Sequence, residues 1–266
     1  VEATVEHFFV GVDRPWMFRL VPKPMVSVNS AMARKLDLAK KQMSWADSGA
    51  FHLIRTHGYY PHTHEQYRGW LKVMRPTFFT QMDWPCEPDV LASSGLTVRE
   101  HQRRSLTSAD ECADFDMEGL WSKFVPTIQG WRVDEYLKAA EDLEAAGLWR
   151  PYMAIGSICR RGQERQIKAV IHALREFSPK TRFHGFGVKS RPKILELLWS
   201  ADSFAWRFNA RKKLFAAHGS GFEQRINLVP YLVDAVSKGQ RWERRGVVSQ
   251  IQRTLRRAPG VSRSSS

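Results

Sequence analysis

The chain is poor in cysteine, with Cys86, Cys112 and Cys159 as its whole complement in 266 residues. They are far apart, form no CxxC pair and are odd in number, which argues against a disulfide framework and points to a reducing, cytoplasmic setting. No run of 18 or more apolar residues occurs, so a transmembrane helix is not expected. The segment VEATVEHFFVGVDRPW (1–16) lacks a basic stretch followed by an apolar core and does not read as a signal peptide. Internal repeats are absent. Acidic residues are outnumbered, 27 against 41 Lys and Arg, for a net charge of +14. Such an excess draws polyanions, of which nucleic acid is the commonest. Hydrophobic residues make up 43% of the chain, enough for a full core.

What is present is an alternation. Short apolar runs occur at HFFVGV (7–12), MVSV (25–28), SWAD (44–47), TFFTQMD (77–83), KFVPTIQ (123–129), YMAIG (152–156), RFHGFGV (182–188) and SADSFAW (200–206). Helical periodicity lies between them. Val133–Ala146 aligns Tyr136, Leu137 and Leu143 before a terminating Gly147. Arg161–Phe177 aligns Ile167, Val170, Ile171 and Leu174, and Arg191–Trp199 follows with Pro192 near its start. Strands alternating with helices predict βα units on a parallel sheet, closed into a barrel or doubly wound. The length suits a single (β/α)8 barrel domain over residues 1–237. Residues 238–266 read as an Arg-rich extension. There Val247, Val248, Ile251 and Leu255 have helical spacing, and the stretch after Pro259 reads as disordered.

The informative positions are polar residues where apolar runs end: Asp47, Asp83, Gln129, Gly156 and Asp202. In a parallel barrel the C-terminal strand ends open onto one face and would converge on one pocket. Each could equally be a turn or helix cap. Two carboxylates can split a substitution at a sugar carbon into two displacements, one as nucleophile and one as acid/base. Asp, Gln and backbone groups can hydrogen-bond a purine edge. Gly49 and Gly130 would admit a flat ring, and Phe51 or Trp84 could stack on it. Trp45, Trp84, Trp131 and Trp206 flank these positions, with core packing as their default use. His57, His62 and His64 supply too few ordered ligands for a metal centre. Cys159 is a reactive thiol or a small buried hydrophobe. REHQRRS (99–105) is a phosphate contact or a solvated helix face.

These segments resemble those of the tRNA-guanine transglycosylases. SWADSGAF (44–51) is similar to their DSGGFQ segment, FVPTIQGW (124–131) to GIVQGG, YMAIGSICR (152–160) to the strand carrying GLAVGG, and FHGFGV (183–188) to the HxLMGVG strand. SADSFAW (200–206) resembles the strand bearing the catalytic Asp. The order agrees across residues 44–208. The resemblance implies an irregular TIM barrel without an organic cofactor. Asp202 would be the nucleophile at C1′ and Asp47 the general acid/base. Asp83 and Gln129 would recognise the purine edge, with Gly156 offering a backbone contact and Ser48, Gly49 and Gly130 beside the base. The tRNA enzymes carry a CxCxxC zinc site beyond the nucleophile, whereas this chain has no cysteine after Cys159. The short, basic chain and its DSGAF variant resemble instead the DpdA-type transglycosylases of phages and bacterial islands, which insert 7-deazaguanines into DNA. The expected reaction is therefore exchange of guanine in DNA for a free base such as 7-cyano-7-deazaguanine, in the host cytoplasm if the chain is phage-encoded. A zinc-free tRNA transglycosylase, a base hydrolase and a non-catalytic nucleic-acid-binding barrel are the alternatives.

Overall fold

The computed structural model describes residues 5–113, 123–188, 191–218 and 225–243. Strands and helices alternate along it. β1 (His7–Gly11) is followed by α1 (Pro15–Leu20), β2 (Pro24–Ser27), α2 (Val28–Ala33) and β3 (Trp45–Asp47). Next come α3 (Ala50–His57), α4 (His64–Met74), β4 (Phe78–Phe79), α5 (Pro88–Ser94), α6 (Val98–Ala113) and β5 (Thr127–Ile128). The remainder is α7 (Val133–Ala145), β6 (Tyr152–Ile155), α8 (Glu164–Phe177), β7 (Arg182–Gly185), α9 (Pro192–Leu195), β8 (Ser200–Ser203), α10 (Ala205–His218) and α11 (Arg225–Trp242).

The strands form one parallel sheet in the order β4-β3-β2-β1-β8-β7-β6-β5. Its two edges meet. Phe79 bridges Phe124 in parallel, and the Val125 amide donates to the Phe79 carbonyl at 2.8 Å. The result is the expected irregular (β/α)8 barrel. Its irregularity is concentrated at this seam, where β4 and β5 are two residues long. There the Gln81 side-chain amide does the work of a strand. Its Nε2 donates to the Thr127 carbonyl at 3.0 Å, and its Oε1 accepts from the Thr127 amide at 2.9 Å. Buried backbone groups must be paired, and a primary amide offers the same donor and acceptor as a peptide.

Two apolar layers result. The helices lie against the outer barrel wall through residues such as Ile167, Val170, Ile171 and Leu174 of α8, the stripe expected from the sequence. The barrel interior holds Phe9, Met25, Trp45, Val125 and Ala154, flanked by Phe78, Tyr152 and Phe186. Trp45 stacks on His184 with ring centroids 4.2 Å apart, and meets Phe9 and Tyr152 edge-on. This is a filled core rather than a pore.

Some boundaries differ from the sequence expectation. α8 begins at Glu164 rather than Arg161, which leaves Arg161 free to reach backward into the loop. The helix expected over Arg191–Trp199 shrinks to Pro192–Leu195, because Leu197 and Leu198 close tight turns onto Ile194 and Leu195. α11 runs through the boundary expected at residue 238. Val5 bridges Glu243, and Glu243 accepts from both the Phe8 amide and Lys23. The expected helix at Val247–Leu255 lies outside the described residues. No described helix is long and apolar enough to cross a membrane.

Candidate active site

The carboxylates gather at the C-terminal end of the barrel, two of them on strands and one on a loop. Asp47 is the last residue of β3. Its Oδ2 accepts from the Gly49 amide at 3.0 Å, an Asx turn that starts α3. Asp202 lies inside β8, level with Phe9 of β1. Its Oδ1 accepts from the Gly187 amide at 2.7 Å. Gly187 has φ +62, and a Cβ there would stand 2.6 Å from that of Cys159, so glycine is what lets this amide face the carboxylate. Asp83 does not end a strand as expected. β4 stops at Phe79, and Asp83 lies four residues on, in the buried loop 80–87.

Asp83 is held by side chains. Ser48 Oγ donates to its Oδ1 at 2.7 Å and Gln129 Nε2 to its Oδ2 at 2.5 Å. The Tyr60 hydroxyl donates to its backbone carbonyl at 2.7 Å. α6 supports the loop from below, with Ser108 and Ser105 hydroxyls accepting from the Met82 and Trp84 amides and Gln102 donating to the Gln129 carbonyl. REHQRRS thus spans part of an amphipathic helix. His101, Gln102 and Ser105 face inward, while Arg99, Arg103 and Arg104 face solvent.

Electrostatics set Asp47 apart. Burial, then the nearby charge of Asp83, and to a lesser degree that of Asp202, raise its carboxyl to about 7, against the Gly49 hydrogen bond. An acid/base group poised near neutrality can both give and take a proton. Burial also raises Asp83, opposed by its bonds from Ser48 and Gln129. Three carboxylates therefore share one mouth.

The glycines play parts other than those expected. A Cβ on Gly156 would fall 2.2 Å from Gln129 Nε2, so Gly156 is the gap across which the Gln129 side chain passes. The expected backbone contact from Gly156 is occupied within the protein. Its amide donates to the Ile128 carbonyl at 3.0 Å, and its carbonyl accepts from the Tyr136 hydroxyl at 2.7 Å. Gly130 is crowded by Tyr136 of α7, and Gly49 by Ser27. Trp45, Trp84 and Trp206 are buried. Trp131 is half-buried, with the Arg161 guanidinium 4.4 Å from its ring centre. Phe51 is partly buried below the guanidinium groups of Arg55 and Arg160. Burial pushes the Cys159 thiol up to about 12, which keeps it a thiol rather than a reactive thiolate. His62 is buried beside Tyr67 and Trp70. No cluster of His, Cys, Asp or Glu suited to a metal ion occurs among the described residues.

Three neighbours were not legible as site residues. His184 lies with Nε2 3.4 Å from Asp202 Oδ1, and its Nδ1 is 2.7 Å from Ser200 Oγ. Glu87 and Ser157 form a second tier behind Gln129. Ser157 has φ +51, a conformation that costs a non-glycine residue energy and that aims its hydroxyl inward. Only the single acidic residue in WPCEP hinted at Glu87.

A model of the DpdA family, DeoxyPurine in DNA protein A, matches residues 4–249. The chain belongs to the DpdA family. The match covers the whole barrel and every carboxylate at its mouth. DpdA membership makes this chain a DNA-acting, transglycosylase-type protein, and DNA its class of partner. No curated protein matches the chain.

Proposed function

We propose that this DpdA protein exchanges guanine in DNA for a free 7-deazaguanine base, such as 7-cyano-7-deazaguanine, through a covalent bond to Asp202. A base stacked in a duplex is inaccessible at C1′, so the target nucleotide is flipped or taken from a single strand. Asp202 attacks C1′, the C1′–N9 bond breaks, and Asp47 in its acid form gives its proton to the departing guanine. The glycosyl ester to Asp202 then waits for the incoming base. Asp47, now a carboxylate, takes the proton from its N9, N9 attacks C1′, and Asp202 is released. Two inversions give overall retention. Asp83 accepts from the donors of the purine edge. The second amide proton of Gln129 donates to the purine carbonyl, with Ser48, Gly49, Gly130 and Gly156 shaping the wall. No cofactor enters this scheme.

The observation that carries the reading is Asp47: burial, together with the charges of Asp83 and Asp202, brings its carboxyl to about 7, where one residue can act as acid in the first half and base in the second. The test is incubation of the protein with labelled 7-cyano-7-deazaguanine and either DNA or tRNA, followed by mass spectrometry of the nucleosides. Label in deoxynucleosides is the expected result. Label in tRNA alone would replace the DNA substrate, and release of guanine without incorporation would make the protein a hydrolase.

A further inference from the structure

Behind the base-binding wall lies a buried chain of hydrogen bonds whose protons can be counted. Ser157 Oγ has three partners: the Cys86 amide, Glu87 Oε2 and Gln129 Oε1, all at 2.7 Å. A serine hydroxyl owns one proton and two lone pairs. The Cys86 amide occupies one lone pair. The hydroxyl proton can serve only one of the two remaining oxygens, so the other must bring a proton of its own. Gln129 Oε1 has none to bring, because its Nε2 is turned to Asp83 at 2.5 Å. The proton must then be on Glu87.

The surroundings of Glu87 agree. It is 2% exposed. Pro88 follows it at the first turn of α5, which keeps Glu87 extended and turned inward. Among the described residues no cation pairs with it. Arg161, on the loop after β6, is spent on the carbonyls of Ser157 and Trp131, and Arg160 is paired with Asp89. The other groups that face it are Asp83, Cys86, Tyr136 of α7 and the Cys159 thiol, whose Sγ is 3.7 Å from Glu87 Oε1. A buried carboxyl with no cation beside it is far cheaper as the neutral acid.

We propose that Glu87 is a positioning residue of the base pocket: as the neutral acid it donates to Ser157, Ser157 donates to Gln129 Oε1, and Gln129 is thereby fixed with its N–H groups toward Asp83 and the purine carbonyl. One proton, placed two residues behind the wall, sets which edge of the wall donates. Were Glu87 ionised, Ser157 would donate to it, Gln129 would turn over, and Asp83 would have to hold the proton instead. The wall would then present an acceptor where the purine carbonyl needs a donor. The role in base recognition rests on the exchange reading above; the location of the proton does not.

Difference infrared spectroscopy of the full chain at neutral pH reads the proton directly. Glu87→Gln is expected to remove one protonated-carboxyl band that shifts in D2O, and Asp83→Asn to leave that band in place. The reverse pattern puts the proton on Asp83 and overturns the proposal. Isothermal titration with 7-cyano-7-deazaguanine reads the consequence. Glu87→Ala is expected to weaken binding about tenfold, the size of one net hydrogen bond, and Glu87→Gln, which can still donate to Ser157, to restore it. Ser157→Ala cuts the same link and carries the test if Glu87→Ala does not fold. Equal affinity in the wild type, Glu87→Ala and Ser157→Ala overturns the positioning role. If the wild type binds no base, the exchange reading fails, and the infrared result still decides where the proton sits.

Discussion

The two sides of this barrel are built on different rules. On the β8–β1–β2 side the strands are four or five residues long, backbone ladders hold them together, and Asp202, the proposed nucleophile, is part of a strand. On the β4–β5 side the strands are two residues long, and side-chain amides take over. Gln81 closes the seam, Gln102 ties α6 to the Gln129 backbone, and Gln129 holds Asp83. The ladder side fixes the proposed nucleophile as firmly as a backbone can. The amide side trades backbone rigidity for a wall of oriented donors and acceptors, which is what recognition of a planar base requires. In the proposed exchange, chemistry falls to the regular half and recognition to the irregular half.

The comparison breaks most directly at Asp202. Asp202→Asn keeps the Gly187 bond but removes the nucleophilic oxygen, and exchange should fall by about 10⁴-fold or more, measured in a single turnover with labelled base. If this variant exchanges at the wild-type rate, the ladder side is only scaffold and the nucleophile lies elsewhere at the mouth. The next effect is on stability. Gln81→Ala leaves the amide and carbonyl of Thr127 buried and unpaired, and should cost about 3 kcal/mol in denaturant unfolding. A loss below about 0.5 kcal/mol would mean that the seam closes without its side-chain strand.

Asp47 joins the two halves, and its raised carboxyl fixes the sign of a pH effect. The folded protein holds the Asp47 proton up to about 7 while the unfolded chain releases it near 3.8, so this residue favours folding below about 4 and loses that contribution as pH climbs to 7. Asp47→Asn should therefore be more stable than the wild type above pH ~7, by about 2 kcal/mol after discounting for partial exposure, with no gain near pH ~4. Thermal melts across that range test it; a gain that does not vary with pH would detach Asp47 from the carboxylate cluster. The smallest effect is expected back on the ladder side. Ser200→Ala removes the hydroxyl between Tyr152, 2.6 Å away, and His184, and should cost only about 1 kcal/mol because the ladder remains.

How much could be read beforehand follows the same divide. Where backbone periodicity dominates, the sequence was transparent: the β6, β7 and β8 segments, α7 to within a residue, and the inward stripe of α8 all lie where spacing predicts. Asp47, Gln129, Gly156 and Asp202 fall on or beside strand ends as the barrel rule requires. The seam was opaque. TFFTQMD reads as one seven-residue strand, but Gln81 turns its side chain into the ladder and Asp83 leaves the sheet altogether. No periodicity announces an amide acting as a peptide bond. His184, Glu87 and Ser157 stayed hidden for a related reason, since each acts through a partner distant in the chain. The sequence suggests a backbone contact from Gly156, whereas the structure uses its missing Cβ.

The stacked Trp45 and His184, with Phe9, Phe78 and Tyr152 around them, stop the barrel like a cork. A corked barrel has one door. In the proposed exchange the departing guanine and the arriving base must use it in turn, with the DNA held across the threshold meanwhile. The kinetics this dictates are ping-pong with respect to the two bases. Excess guanine should therefore compete with the 7-deazaguanine for one doorway and run the reaction backward.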